Sequence, residues 1–467
     1  MAEPPVARPA AARRLELDDI QGLALRPHSE LPYVSYLFLR VVDRARALAA
    51  LGAATGAITT ARAVLAPSAR RPRTRVQLAF SHTGLAALGL DAVTRASFSP
   101  EFQSGMAEPA RSRRLGDRGE SAPERWELGG SGHRLEVLVA LFADTTEARA
   151  ALVAEWGGRL DGLVVEKQED STPRKNQKEH FGFRDGVSQP ALRGDPTRAH
   201  LAAADRIADG EFLFGYANEY GKLPSAPRTA GGVDLGDNGT YLVFRKLEQH
   251  VARFWRYFHI AGGNDAREAE RLASKCVGRW PSGAPLVLAP DHDDRQLGDD
   301  MAHNNHFLYR DGDPLGMRCP LAAHIRRANP RDARGSTAAD SLTLVRRRRI
   351  IRRGRLWGVA PRTAQPQHED GERRGLYFVA LNINIARQFE FLQQTWLNNP
   401  KFAGLANDRD AVVASAEDGG AVSLPGEPFR RRLAGLPSFV TVRGGEYYFM
   451  PGLKALGRLL AACSQNS

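Results

Sequence analysis

YVSYLFLRVV (33–42) runs directly into DRARALAALGAATGAI (43–58). The first stretch is apolar enough to be buried on at least one face. The second places apolar residues at i, i+3 and i+4, so the pair reads as a strand followed by a helix. The unit returns three times: VLVALFA (137–143) before DTTEARAALVAEW (144–156), TYLVFRKL (240–247) before EQHVARFWRYF (248–258), and LYFVALNINI (376–385) before ARQFEFLQQTW (386–396). Further strands are expected at VQLAFS (76–81), LVVEKQE (163–169) and FVTVRGG (439–445).

Two strand–helix units plus extra strands in each half are the material of a ferredoxin-like α+β domain used twice. The expected fold class is therefore α+β: two tandem ferredoxin-like domains, each an antiparallel sheet with helices on one side. The spacing is too long for a solenoid. Residues 222–239 concentrate Pro and Gly, which sets a boundary between a first domain over 15–225 and a second over 226–467. Residues 1–14 read as a Pro/Ala/Arg tail and 108–133 as a polar linker. Residues 281–316, rich in Pro, Gly, Asp and His without periodicity, read as a long functional loop.

Composition narrows the function. The chain has 467 residues, 42% hydrophobic and 25% charged, which excludes wholesale disorder and collagen-like repeats. Sixty-five Lys and Arg against 53 Asp and Glu leave a net charge of +12. Such an excess is either a solubilising surface or a face for an anionic cofactor, an anionic surface or nucleic acid. Only Cys276, Cys319 and Cys463 occur, with no CxxC pair, which argues against a disulfide framework or structural zinc. Arg13-Arg14 is followed by Leu-Glu-Leu-Asp-Asp rather than an apolar run, and no stretch of 18 apolar residues exists. No signal peptide or membrane span is expected, so the expected location is cytoplasmic.

Three segments could carry chemistry. HFGFRDGVSQP (180–190) holds Asp185 between Gly182 and Gly186, so the backbone can approach a ligand and aim the carboxylate into a cavity; alone it also fits an Asp-Gly turn with a solvated carboxylate. MRCPLAAHIRRANPRD (317–332) places His324 after two alanines and a helix start after Pro320. Small residues before an imidazole leave room for a flat ligand, so His324 is a candidate axial iron ligand, although a lone histidine in such a place is more often a hydrogen-bonded core residue. Cys319 is a rival, since a thiolate also binds haem iron. In LVRRRRIIRRGRLWG (344–358), seven of the ten residues from Arg346 to Arg355 are arginine. A strand there could bury Ile350 and Ile351 while the arginines form an anion site, a nucleic-acid patch, a buried catalytic arginine or a charged sheet edge.

Taken together and in this order, the three segments resemble those of the dye-decolourising peroxidases, haem peroxidases of the chlorite-dismutase-like superfamily. Further similar stretches are GEFLFGYANEYG (210–221), GRWPSGAPL (278–286) and RGLYFVALNINIARQFEFLQQTW (374–396). The resemblance runs from about Leu15 to Leu460 and implies tandem ferredoxin-like domains with one haem b per chain, held mainly by the second half.

The resemblance implies His324 as the proximal ligand, Asp185 as the distal acid–base group and Arg352 as the distal arginine, with Arg353 or Arg349 as alternatives in register. It implies Leu376 and Phe378 as apolar distal lining, Arg326 and Arg387 as partners of the haem propionates, and Asp410 as the acceptor that orients His324. Hydrogen peroxide and an aromatic reductant, a dye or a phenol, are the implied substrates, and the chain would work as a monomer or homodimer. Trp280, Tyr309, Trp357 and Tyr377 are candidate electron relays. Trp357 stands where many relatives have tyrosine, in Leu356-Trp357-Gly358. Two other readings stay open: a haem-binding or haem-processing protein without significant peroxidase turnover, and a nucleic-acid binder. The second lacks any aromatic-interleaved recognition motif, so no nucleic-acid partner is expected.

Overall fold

The computed structural model describes residues 13–130, 132–173, 176–201, 203–361, 366–414 and 419–465. Most of the proposed tail, residues 1–12, lies outside these. Arg13 does not belong to a tail: it pairs with Glu16 and Asp237.

In the first half, β1 (Tyr33–Val41) leads into α1 (Arg44–Ala54), whose N-terminus is capped by the Asp43 carboxylate accepting from Arg46 N. There follow β2 (Thr74–Phe80), β3 (Val137–Ala143), α2 (Thr146–Arg159) and β4 (Leu163–Asp170). The four strands lie antiparallel in the order β4-β1-β3-β2. The second half repeats the plan with β5 (Thr240–Gln249), α3 (Val251–Ala261), α4 (Ala266–Val277) and the short helix α5 (His324–Ala328). After these come β6 (Ile351–Arg352), β7 (Arg355–Trp357), β8 (Gly375–Asn382), β9 (Val440–Met450) and α6 (Leu453–Ser464). Its order is β9-β5-β8-β6, with β7 also on β8. Fourth, first, third, second is the ferredoxin-like order in both halves, and β2 and β9 meet at Phe80 and Phe449 to make one nine-stranded sheet. The chain is thus α+β with two tandem ferredoxin-like units.

Except at the half-exposed edge strand β4, both faces of this sheet are buried, which is why most strands read as nearly continuous apolar runs. Leu37 and Leu39 of β1 face a core closed by Leu51 of α1, Trp156 of α2 and Leu456 of α6. Val34, Tyr36 and Phe38 face a second core closed by Ile20, Leu31, Ile207 and Phe212. Helices cover one side; irregular chain covers the other.

Three sequence expectations change. Residues 108–133 are not a linker: Pro109–Leu115 is helical, and Leu115, Trp126 and Leu128 are buried. The arginine-rich segment is mostly not a strand. Ala338–Arg346 is helical, and only Ile351–Arg352 and Arg355–Trp357 pair with β8. Finally, Ala386–Glu390 and Leu392–Leu397 are wound as π-helix, with Glu390 N donating to Ile385 O and Asn398 N to Gln393 O, both at 2.9 Å. Such wide turns are rare and cluster at functional sites.

Candidate active site

In the second unit, α3 and α4 form a core of their own with Phe181, Phe183 and Phe439 rather than sealing their sheet. Between lies a cavity of about 330 Å3. Leu247, Leu376, Phe378 and Val442 line it from the sheet, and Phe389 and Leu392 from the π-helical segment. Leu376 and Phe378 share a strand face because they are two residues apart.

Asp185 reaches this cavity from a tight loop. Gly182 N donates to Glu179 O (2.9 Å), and Asp185 N to Gln177 O (3.1 Å). Gly182 and Gly186 have φ of +97° and +87° in open space, so conformation rather than crowding demands glycine here. Arg352 Nη1 donates to Asp185 Oδ1 at 2.9 Å, while Arg352 N donates to Gln189 Oε1 at 3.2 Å. Of the two register alternatives only one leaves the cavity. Arg353 turns to the far side and donates to Leu23 O and Ala24 O. Arg349 lines the cavity, 3.5 Å from Asp205.

His324 opens α5 and lines the same cavity. Its Nδ1 lies 2.9 Å from Asp410 Oδ2. A carboxylate only accepts, so Nδ1 carries the proton, and Nε2 has no hydrogen-bond partner among the described residues. Asp410 is itself fixed, its Oδ1 accepting from Val412 N and Val413 N at 2.9 Å each. Burial disfavours the imidazolium, yet the Asp410 charge and hydrogen bond outweigh it and raise the His324 pKa above the ordinary value. Burial likewise disfavours the Asp410 carboxylate, and His324 still holds its pKa low.

Two expected cofactor residues do not reach the cavity. Arg326 is buried elsewhere, donating to Asp313 Oδ2 (3.0 Å), Asp313 O (2.8 Å) and Cys319 O (2.7 Å) beneath Tyr309. Arg387 pairs with Glu211 at 2.6 Å and donates to Arg347 O. Each guanidinium is occupied by a carboxylate of its own. Cys319 is also excluded: it is away from the cavity, and burial pushes its thiol up to about 12, far from a thiolate. Among the aromatic candidates, Tyr309 and Tyr377 line the cavity. Tyr377 donates to Glu169 at 2.6 Å, and Trp357 stands 6.3 Å from its ring. Trp280 lies outside the cavity and donates to Ala289 O.

Sequence reasoning missed Arg279, Arg331 and Arg348. All three line the cavity, and none has a carboxylate partner among the described residues. Arg279 is buried and donates only to Gly283 O, Asn304 O and Asn305 Oδ1. Burial, with Arg331 nearby, lowers its pKa to about 9. Arg279 is buried and Arg331 and Arg348 are half-buried; a buried cation without a counter-ion is costly, so the cluster suits an anionic ligand. An apolar cavity with one open imidazole nitrogen and unpaired arginines fits a flat, iron-bearing macrocycle carrying carboxylates.

No family model matches the chain. Among characterised proteins it is 30% identical to the dye-decolorizing peroxidase msp1 of Mycetinis scorodonius, over 97% of this chain and 90% of that one. It is 31% identical to the dye-decolorizing peroxidase AauDyP1 of Auricularia auricula-judae, over 98% and 89%. The chain belongs to the dye-decolorizing peroxidase family. Among solved structures, a dye-decolorizing peroxidase complexed with 2,6-dimethoxyphenol superposes with a TM-score of 0.80 at 26% identity, covering 96% of this chain and 100% of that one. A fungal peroxidase of this type from Auricularia auricula-judae gives 0.81 at 29% identity, with the same coverage. The protein is therefore a haem-dependent oxidoreductase that uses hydrogen peroxide to oxidise dyes and phenols, and the reading as a haem-processing protein without turnover is not favoured. Among the described residues, no helix is long and apolar enough to cross a membrane.

Proposed function

We propose that His324 ligates the iron of one haem b per chain, and that Asp185 and Arg352 act on hydrogen peroxide in the same cavity. The observation that carries this reading is the Arg352–Asp185 hydrogen bond of 2.9 Å, in a cavity also lined by a histidine whose second nitrogen is committed to a buried aspartate. Arg279, Arg331 and Arg348 would hold the propionates; non-covalent b-type binding fits three buried cysteines that do not line the cavity. Residues 226–467 supply most of these groups, and residues 15–225 supply Asp185.

Haem, when bound, supplies the iron at which the peroxide O–O bond is broken and the two oxidising equivalents are stored. The Asp185 carboxylate takes a proton from one peroxide oxygen and returns it to the other, which leaves as water. Arg352 keeps the carboxylate aimed and stabilises negative charge on the departing oxygen. Asp410 holds the His324 ring in one tautomer and makes Nε2 a stronger donor. Leu376 and Phe378 keep bulk water out. We further propose a monomer or homodimer in the cytoplasm with no nucleic-acid partner; three unpaired, buried cysteines are compatible with a reducing compartment.

Absorption spectroscopy of the purified protein, before and after one equivalent of peroxide, tests the reading. Wild type is expected to show a haem spectrum that peroxide changes, and His324→Ala to lose or misligate haem. An unaltered spectrum in His324→Ala would place the ligand elsewhere.

A further inference from the structure

The loop that carries Asp185 belongs to the first half of the chain but is fastened to the second. Glu179 braces it from inside. Its Oε1 accepts from Phe183 N and its Oε2 from Phe181 N, at 2.9 Å each, and Oε2 also accepts from Gln249 Nε2 at 2.5 Å. The Glu179 backbone closes the same turn, its N donating to Phe183 O at 3.0 Å and its O accepting from Gly182 N. Gln249 ends β5, so the brace joins the loop to the second unit's sheet. On the other side of the loop, Trp255 Nε1 donates to Phe181 O at 3.0 Å, and Phe181 stacks on Phe254 at 4.3 Å, both partners lying on α3. Lys178 pairs with Arg184, and Asp185 N donates to Gln177 O, which carries this order to Asp185. Glu179 and Gln249 both line the cavity, and Glu179 has no cationic partner among the described residues. Burial pushes its pKa up against these hydrogen bonds, and the Asp185 charge adds to the rise. A second carboxylate beside Asp185 is thus a cost, which its hydrogen bonds to the loop offset.

We propose that Glu179 is a positioning residue for the peroxide reaction: by bracing Phe181 N, Phe183 N and Gln249 with its two carboxylate oxygens, it fixes the place from which Asp185 meets peroxide. The inference rests on the haem-peroxidase reading above, in which Asp185 moves the proton. Proton transfer needs heavy atoms at about 2.6–3.2 Å, so a carboxylate displaced by about 1 Å loses its reach. The Arg352–Asp185 bond ties two side chains that are 33% and 24% exposed, and it does not set the backbone from which Asp185 projects. A glutamine at 179 would turn an N–H toward one of the two loop amides, so the brace needs a carboxylate.

The test is a double-mutant cycle on the holoenzyme, read by stopped-flow haem absorbance after mixing with hydrogen peroxide and by steady-state kinetics with 2,6-dimethoxyphenol. Glu179→Ala is expected to slow the peroxide reaction about 10–100-fold with the resting haem spectrum unchanged. The kcat/KM for the phenol should stay within about twofold of wild type, whereas a general loss of structure would lower both. In an Asp185→Asn background the same substitution should change the peroxide rate by no more than about twofold, since no carboxylate is left to place. Should Glu179→Ala fail to fold, Glu179→Gln, which keeps the volume and gives up one amide anchor, runs the same cycle with an expected loss of about tenfold. A wild-type peroxide rate in the Glu179 variant, or an equal loss in both backgrounds, overturns the proposal. A wild-type peroxide rate in Asp185→Asn alone would instead overturn the reading on which it rests, and the proposal with it.

Discussion

The two ferredoxin-like units share a strand order and differ in what fills the space above the sheet. In the first unit, residues 42–73 connect β1 to β2, and the face beneath α1 and α2 is closed by Leu51, Leu152 and Trp156. In the second, residues 250–350 make the same connection, about three times as long, and the face stays open as the cavity proposed to hold the haem. Loop-closure entropy grows only logarithmically, so that extra length costs about 1 kcal/mol. It delivers Arg279, His324 and Arg331. The lesson is that one unit supplies the stability from which the other maintains a cavity of unpaired cations.

That contrast is broken most directly in the cavity. Asp185→Asn and Arg352→Leu are each expected to lower kcat/KM for peroxide by about 10^2–10^4-fold while haem stays bound and the melting temperature holds, since the work proposed for them is proton transfer and charge stabilisation. Steady-state kinetics beside a melting curve checks this; wild-type rates in both variants would remove the assigned roles. The mirror experiment is Trp156→Ala in the closed unit. Its side chain is fully buried, so about 3–5 kcal/mol of stability should be lost, read by denaturant unfolding, with near-normal peroxide chemistry in the fraction that folds. A cavity-like tolerance at Trp156 would end the distinction between the units.

Asp410→Asn probes the boundary between the two behaviours. The amide can still accept from Val412 N and Val413 N, but it cannot hold the His324 tautomer with a full charge. The expected loss is about 10–100-fold in haem affinity or peroxide reactivity, measured by haem transfer to an acceptor protein and by stopped flow. Unchanged values for both would reduce Asp410 to a loop-capping residue.

How much of this was legible from the letters depends on whether a residue carries its own context. Most strands were readable because burial on both faces makes them apolar throughout; the edge strand LVVEKQED is the exception. Asp185, His324 and Arg352 could be picked out because each sits in a compact motif, and the structure brings all three to one cavity. Arg326 and Arg387 misled because their occupancy is decided by Asp313 and Glu211, and Glu211 lies 176 positions from Arg387 in the chain. Arg279 and Arg331 lay inside the quoted segments GRWPSGAPL and MRCPLAAHIRRANPRD, but what marks them is the lack of a carboxylate partner among the described residues, which no linear pattern expresses. The π-helical turn was invisible for a similar reason: ARQFEFLQQTW has an ordinary helical period, and the widening follows from packing.

The smallest expected effect tests the seam between the units. Glu446 lies on β9, opposite Phe244 of β5 and facing Gly105 of the first half, where a Cβ would come 3.4 Å from its Oε1. Burial, against hydrogen bonds from the backbone of Tyr447 and Met106, pushes its pKa from an ordinary 4.5 up to about 7. The folded protein therefore keeps a proton that the unfolded chain releases. Stability from this group is fully present below about pH 4.5 and declines as pH rises through 7. Because the side chain is only partly buried, the decline should be on the order of 1–2 kcal/mol rather than the full value of the shift. Glu446→Gln removes the titration. Its melting temperature should match wild type at pH 5 and exceed it at pH 8, and an equal difference at both pH values would show that the seam carries no ionisation cost.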